Sequence, residues 1–285
     1  MRWVVIGDTG LFGAEMVALL EARNEQFIRF NRTNLDLELQ AETIANFIGQ
    51  ADVIVNAVGY TDVDKAEREP HESHTVNGLY AGKLAEVAAF LNAKYFYIST
   101  DYVFGGDADA PYSVKSMTNP QSIYGKSKVL GEQLIAKSSS NYTIFRTAWL
   151  YGTHGKNFAT TIATRLVEQG EVRVVSDQIG TPTWTRDLAE VVYAHGVNEF
   201  NEKIVHAVAS DSASWFDFAR EVATALPEGD KHLLNPITTE EFPTVAKRPG
   251  FSVLDNSETR GPVIGNWKVR WKAAAPIVLA EFLTD

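Results

Sequence analysis

The sequence predicts an α/β fold: a doubly wound parallel sheet with helices on both faces and a smaller, partly interleaved C-terminal unit. Three observations carry this expectation. Short apolar, β-rich runs alternate with longer helical patterns through the first half of the chain. A cluster of glycines directly follows the first of those runs and opens a helical one. After Trp149 the alternation gives way to short strands, loops and stretches bearing Pro and Gly. Alternating strands and helices need crossover connections, which produce parallel strands covered on both faces.

Taken in order, Trp3–Ile6, Phe27–Phe30, Val53–Val58, Tyr95–Ser99 and Thr143–Phe145 read as the strands, and His74–Leu91 as the longest helical pattern between them. Beyond Trp149, "EVRVV" and "KIVHAV" read as strands, separated by the loop "SDQIGTPTW" and a helix near 186–197. The domain boundary is placed at 149/150, giving units 1–149 and 150–285, with the helix near 186–198 packing back on the first.

Composition narrows the function classes. A chain of 285 residues, 45% hydrophobic, buries a large core and is not disordered. The net charge of −10 offers no basic field for nucleic acid or anionic lipid, so neither nucleic acid nor a membrane is expected as a partner. With no cysteine there is no disulfide framework and no thiolate nucleophile or metal ligand. "MRWVVIGDTG" opens with an apolar run of only four residues before glycines, so a signal peptide or membrane span is not expected here, and a cytoplasmic location is.

The first strand runs into "GDTGLFG", with Gly7, Gly10 and Gly13 evenly spaced, Leu11 and Phe12 between the last two, and the helical "AEMVALLEA" after them. Glycines there let the backbone turn sharply and approach a pyrophosphate at the positive end of a helix, as in Rossmann-like dinucleotide sites. The second strand ends in "FNRTNLDL", bringing Asn31, Arg32, Asp36 and Leu37 to the ribose and adenine end of such a site. Asn31 and Arg32 stand where an NAD site usually has an acid. Arg32 can pair with a 2′-phosphate, which favours NADPH over NADH; a solvated surface arginine is the other reading. "NAVGYTDVDKAE" follows the third strand, so Ala57, Gly59 and Tyr60 border the same crossing.

The fourth strand ends in "STDYVF", delivering Ser99, Thr100, Asp101 and Tyr102 to that sheet edge, and "SIYGKSK" sets Tyr124 and Lys128 four apart on one helical face. A hydroxyl that holds a carbonyl oxygen, a phenol that gives it a proton and an ammonium that lowers the phenol's pKa are the parts needed for hydride transfer to a ketone.

The glycine turn, "NAVGYTDVDKAE", "STDYVF", "NPQSIYGKSK", "RTAWLYG", "NFATT", "DQIGTPT" and "KRPGFSVLD" occur in one order over nearly the whole chain. In this the sequence resembles the dTDP-4-dehydrorhamnose reductases of the extended short-chain dehydrogenase/reductase family. The resemblance implies reduction of dTDP-4-dehydro-L-rhamnose to dTDP-L-rhamnose by NADPH, or by NADH. Thr100 would orient the C4 ketone, Tyr124 would donate the proton, and Lys128 would bind the nicotinamide ribose and tune Tyr124. It implies cofactor contacts from Ser99, Tyr124 and Lys128 besides the residues named above. Substrate contacts would come from Asp101, Tyr102, Trp149, Asn157, Gln178, Thr181 and Arg248. Ordinary structural roles compete for several: Trp149 as core, Asn157 as a helix N-cap, Arg248 as a surface charge. Another nucleotide 4-keto-6-deoxysugar reductase, and a non-catalytic NADP-binding regulator resembling the β subunit of methionine adenosyltransferase, are the rival functions.

Two features bear on metals. Some family members use acidic residues to hold Mg²⁺ at a homodimer contact, and Glu15 matches one of them. Arg186 stands where a second acid is expected, and a cation there repels a metal. No metal is therefore expected, and a homodimer is left open. "PHESH" supplies His71, Glu72 and His74 without the i, i+4 pair of a helical zinc site, and reads as a solvated helix start.

Overall fold

The computed structural model describes residues 1–138, 141–227 and 233–283. The first strands are β1 (Arg2–Ile6), β2 (Gln26–Phe30), β3 (Val53–Asn56), β4 (Lys94–Thr100) and β5 (Tyr142–Thr147). Between them run α1 (Leu11–Ala22), α2 (Ala41–Ile48), the short α3 (Val63–Arg68) and α4 (Pro70–His74), a π-helical turn at Thr75–Leu79, α5 (Tyr80–Phe90) and α6 (Ile123–Ser138). The second half contains β6 (Leu150–Tyr151), α7 (Phe158–Gln169), β7 (Glu171–Val175), β8 (Ile179–Gly180), β9 (Thr183–Trp184) and α8 (Thr185–Val197). It continues with β10 (Ile204–His206), β11 (Ala213–Ser214), α9 (Trp215–Ala225), β12 (Leu233–Ile237) and α10 (Trp267–Val278).

The main sheet has six strands in the order β10-β5-β4-β3-β1-β2, every pair parallel. Period-two alternation divides its side chains between two cores. Val4, Ile6, Tyr95 and Tyr97 point to the layer containing α2 and α5, while Trp3, Val5 and Phe96 point to the layer containing α1 and α8. The second core runs without a break into α7, α9 and α10, whose Phe218, Trp267 and Trp271 are fully buried.

Three expectations need correction. Ile204–His206, placed by the sequence in the second unit, extends the main sheet beside β5. The 149/150 boundary is thus crossed again by β10 as well as by α8, whose Tyr193 stacks on Trp3 at 5.5 Å. The third strand ends at Asn56 and not Val58, because the Asn56 side chain accepts the Val58 N–H and turns the chain. Nor is His74–Leu91 one helix: the π turn interrupts it, and there the Asn77 carbonyl takes the Tyr97 hydroxyl at 2.7 Å.

Reversal of strand order between β1 and β3 opens a crevice at the carboxyl ends of the strands, where doubly wound sheets bind ligands. The second half of the chain brings Trp149, Asn157 and Trp215 to that edge.

Candidate active site

At the end of β1 the backbone turns at Gly7, with φ +94°. A Cβ on Gly7 would stand 2.8 Å from the Ala57 carbonyl carbon, and one on Gly13 only 2.0 Å from the Gly7 oxygen. These glycines exist so that β1, the 57–58 backbone and α1 can close on one another. At Gly10 a Cβ would meet only the Gly7 oxygen at 3.6 Å, so the absent side chain keeps the cavity itself clear. Gly10 is the N-cap of α1, whose first turn has neither a capping side chain nor an acid. Uncapped N–H groups facing an open cavity, between walls that tolerate no side chain, suit a dinucleotide pyrophosphate.

Two cavities meet along Gly10 and Ala57–Gly59. One, of about 580 Å³, is bordered by Gly7, Asn31, Arg32, Asp36, Leu37 and Tyr60. Asn31 is held by Asp8 (3.0 Å), and Arg32 is exposed at the cavity rim. The other, of about 450 Å³, gathers Leu11, Phe12, Ser99, Thr100, Asp101, Tyr102, Tyr124, Lys128, Trp149 and Asn157. A larger cavity of about 720 Å³ lies between α7 and α10 and contains none of the residues singled out by the sequence.

Thr100 ends β4, where its hydroxyl donates to Asp101 Oδ1 (3.0 Å) and accepts the Tyr102 N–H (3.2 Å). Tyr124 stands one residue inside α6, its ring edge-on to Tyr102 at 5.5 Å. The helix can come this close because residue 125 is glycine: a Cβ there would lie 2.2 Å from the Tyr102 carbonyl oxygen. Burial pushes the Tyr124 phenol well above its ordinary value, and the Thr100 hydroxyl pulls it the other way. Lys128, one turn on and 4% exposed, donates to the Ile98 carbonyl (2.8 Å). Burial brings its ammonium down to about 7, opposed by the Glu132 carboxylate. Asp101 is 2% exposed; burial raises its carboxyl to about 6, and Oδ2 has no well-formed hydrogen bond although the Ser252 hydroxyl lies beside the group. A hydroxyl, a phenol held protonated and a buried amine thus converge on one space.

Trp149 adopts φ +46°, which is costly for a bulky residue, and lies flat on Trp215 with ring centroids 3.4 Å apart, with Gly180 so close that a Cβ there would stand 2.4 Å from the indole. Asn157 does cap α7, its side chain accepting the Thr160 N–H and donating to the Gly152 carbonyl (2.8 Å), while still bordering the cavity. Gln178, Thr181 and Arg248 have other partners: Gln178 donates to Thr239 (3.1 Å), the fully buried Thr181 to the Asp211 carbonyl (3.1 Å), and Arg248 to Asp64 (2.8 Å). Glu15 lies 3.9 Å from His154, with Arg186 close enough to act on it, and His74 is tied to the Pro70 carbonyl.

Several site residues escaped sequence reading. Trp215 borders the cavity as the first residue of α9; the Ser214 to Asp217 capping box marks that helix start. Lys156 lies at the cavity edge. Asn77 takes the Tyr60 N–H (2.8 Å) and gives to the Tyr60 carbonyl (3.0 Å), fixing the 57–60 loop; nothing local distinguishes it from any other helical asparagine.

Among protein-family models, the one described as the RmlD substrate binding domain matches residues 1–284. The chain is 35% identical over 285 residues to a probable dTDP-4,6-dihydroxy-2-methyloxan-3-one 4-ketoreductase of Streptomyces antibioticus, covering 98% of this chain and 96% of that one. It superposes with a TM-score of 0.92 on a dTDP-4-dehydrorhamnose reductase of Clostridium acetobutylicum, 36% identical, covering 98% of this chain and 99% of that one. With the dTDP-4-dehydrorhamnose reductase of Bacillus anthracis in complex with NADP the TM-score is 0.90, the identity 30%, and the coverage 96% and 98%.

Proposed function

This chain belongs to the RmlD substrate-binding-domain family, and on that premise we propose that it reduces the C4 ketone of dTDP-4-dehydro-L-rhamnose to dTDP-L-rhamnose, using NADPH, with NADH as the alternative. The observation that carries this reading is the convergence of Thr100, Tyr124 and Lys128 in a cavity adjoining the glycine turn. The NADP complex of the Bacillus anthracis relative supports the cofactor.

The residues of the glycine turn, with Asn31, Arg32 and the 57–60 loop, would hold the dinucleotide. When bound, the reduced nicotinamide supplies hydride to the ketone carbon. Tyr124 keeps its proton until negative charge develops on the ketone oxygen, then gives it up; a positioned acid acts only where the alkoxide forms. Thr100 has a single hydroxyl proton, so orienting the ketone requires turning it from Asp101 to the carbonyl oxygen. Lys128 would bind the nicotinamide ribose and act on Tyr124 through its charge rather than by contact, since its hydrogen bond goes to Ile98. Asp101, Tyr102, Trp149 and Asn157 would border the sugar. Gln178, Thr181 and Arg248 remain proposed nucleotide contacts, and Arg248 would have to leave Asp64 to meet a diphosphate.

The different ketone named for the Streptomyces antibioticus relative favours a second reading, a reductase of another dTDP-linked 4-keto-6-deoxysugar. One experiment separates the readings: NADPH absorbance followed with dTDP-4-dehydro-L-rhamnose, wild type beside Tyr124→Phe, and the product identified by NMR. Oxidation by wild type alone with dTDP-L-rhamnose formed is the expected result. A different C4 epimer favours the second reading. Bound NADPH without turnover of either sugar overturns both and points to a regulatory subunit.

A further inference from the structure

Beneath this site lies a buried ion pair to which the reaction above assigns no role. Glu132 follows Lys128 by one turn of α6 and is 7% exposed. Its carboxylate accepts Arg146 Nε at 3.0 Å, Arg146 Nη2 at 2.6 Å and the Ser99 hydroxyl at 2.6 Å. Arg146 belongs to β5, with its guanidinium 5.1 Å from the centre of the Phe104 ring. Ser99 immediately precedes Thr100 on β4, and Lys128 donates to Ile98, the residue before Ser99. Two successive residues of β4 are thus pinned to the helix carrying Tyr124, and the next residue of the strand is Thr100.

The surroundings of Lys128 make Glu132 electrostatically distinctive. The ammonium is faced by the Tyr97 ring at 4.6 Å and the Ile98 carbonyl on β4, and by Gly59, with the Asn77 side-chain oxygen on the same side of that glycine; Tyr124, one turn back on its own helix, borders the same cavity. None of these carries a charge at neutral pH. One contact further out, Asp101 acts on Tyr124, and Arg146 is engaged by Glu132. Glu132 is therefore the negative charge that offsets the burial of Lys128. A buried ion pair by itself stabilises little, because desolvation offsets the attraction. This one also places a fixed carboxylate one turn from an amine that burial drives towards neutrality.

We propose that Glu132 is a positioning residue for the reduction, keeping the buried Lys128 ammonium charged and locking α6 to the end of β4 so that Tyr124 and Thr100 address the ketone together. The proposal rests on the function proposed above and deepens it.

The test is the pH dependence of kcat and kcat/KM between pH 6 and 9, with NADPH and dTDP-4-dehydro-L-rhamnose. Wild type is compared with Glu132→Gln, Glu132→Asp and the charge-neutral pair Glu132→Gln with Arg146→Met, and with Lys128→Met and Tyr124→Phe as references. In Glu132→Gln the limb reporting loss of the Lys128 proton moves down by about one pH unit. The deficit against wild type therefore grows from about twofold at pH 6 to about ninefold at pH 8, and Glu132→Asp recovers part of it. A deficit of the same factor at every pH marks a merely structural residue and overturns the proposal. Should Glu132→Gln fail to fold because Arg146 is left unpaired, the neutral pair must show the lowered limb; a wild-type limb in that variant overturns the proposal equally. If Lys128→Met and Tyr124→Phe turn over like wild type, the reading of the site has failed and takes this proposal with it, an outcome the Glu132 variants alone cannot mimic.

Discussion

At Asp101 a single side chain shows how position sets chemistry. Burial raises its carboxyl from 3.8 to about 6, so ionisation works against the fold. The associated stability is fully present below the unfolded value and lost as pH rises through about 6. Asp101→Asn, which keeps an acceptor for Thr100, should therefore be more stable than wild type by up to about 3 kcal/mol at pH 8. The two proteins should melt alike near pH 4, and thermal melts at both pH values check this. Gly13 is as demanding, since a methyl at that position meets the Gly7 oxygen. Gly13→Ala should abolish NADPH binding, measured by fluorescence titration, while the chain stays largely folded. Thr100, Tyr124 and Lys128 were named as candidates from residue type and the order of the surrounding motifs, and the fold brings the three to one cavity. Asn77 and Trp215 were not, because what brings them to the site is a π turn and a helix start in a distant part of the chain. Gln178 and Arg248 show the converse: a motif names a residue without naming its partner.

On the scale of elements, the seam between β4 and α6 decides whether the site exists. Gly125 lets the helix rest against the Tyr102 carbonyl, and Gly125→Ala must push Tyr124 away from Thr100. The expected result is a loss of about 1–3 kcal/mol of stability together with a fall in kcat larger than any change in KM, read from melts and steady-state rates on the same preparation. The capping box of α7 allows a cleaner comparison. Asn157→Ala should cost about 1 kcal/mol through the lost cap; any rise in KM for the nucleotide sugar beyond that of a cap variant elsewhere, such as Ser214→Ala on α9, would report a contact with substrate. Strand positions in the first half were readable because a parallel strand buried on both faces is a nearly continuous apolar run. The break in the helix after His74 was not, since a π turn depends on what lies opposite it, here the Tyr97 hydroxyl.

For the whole molecule, one core joins the sheet to the C-terminal half: Trp3 and Val5 of β1 belong to the same packed cluster as Trp267 and Trp271. Lys94 at the start of β4 adds a cationic cap on the carbonyls of His195, Gly196 and Asn198 at the end of α8. The two halves should consequently unfold together, with far-ultraviolet circular dichroism and tryptophan fluorescence reporting one transition; two separated transitions would show independent halves. Saturation with NADPH at about a hundred times its Kd should raise the stability of that single transition by about 2.7 kcal/mol.

By itself the sequence determined the parallel α/β class and the glycine turn and named Thr100, Tyr124 and Lys128 as candidates for the chemistry, because these rest on local periodicity, on backbone freedom and on side-chain chemistry. Only the tertiary structure decided that Ile204–His206 completes the main sheet, that Arg248 is paired with Asp64, and that Glu132 and Arg146 are buried together beneath Lys128. Those outcomes depend on burial and on which distant groups meet, and both arise only when the crossovers close and a low-dielectric interior forms around the charges.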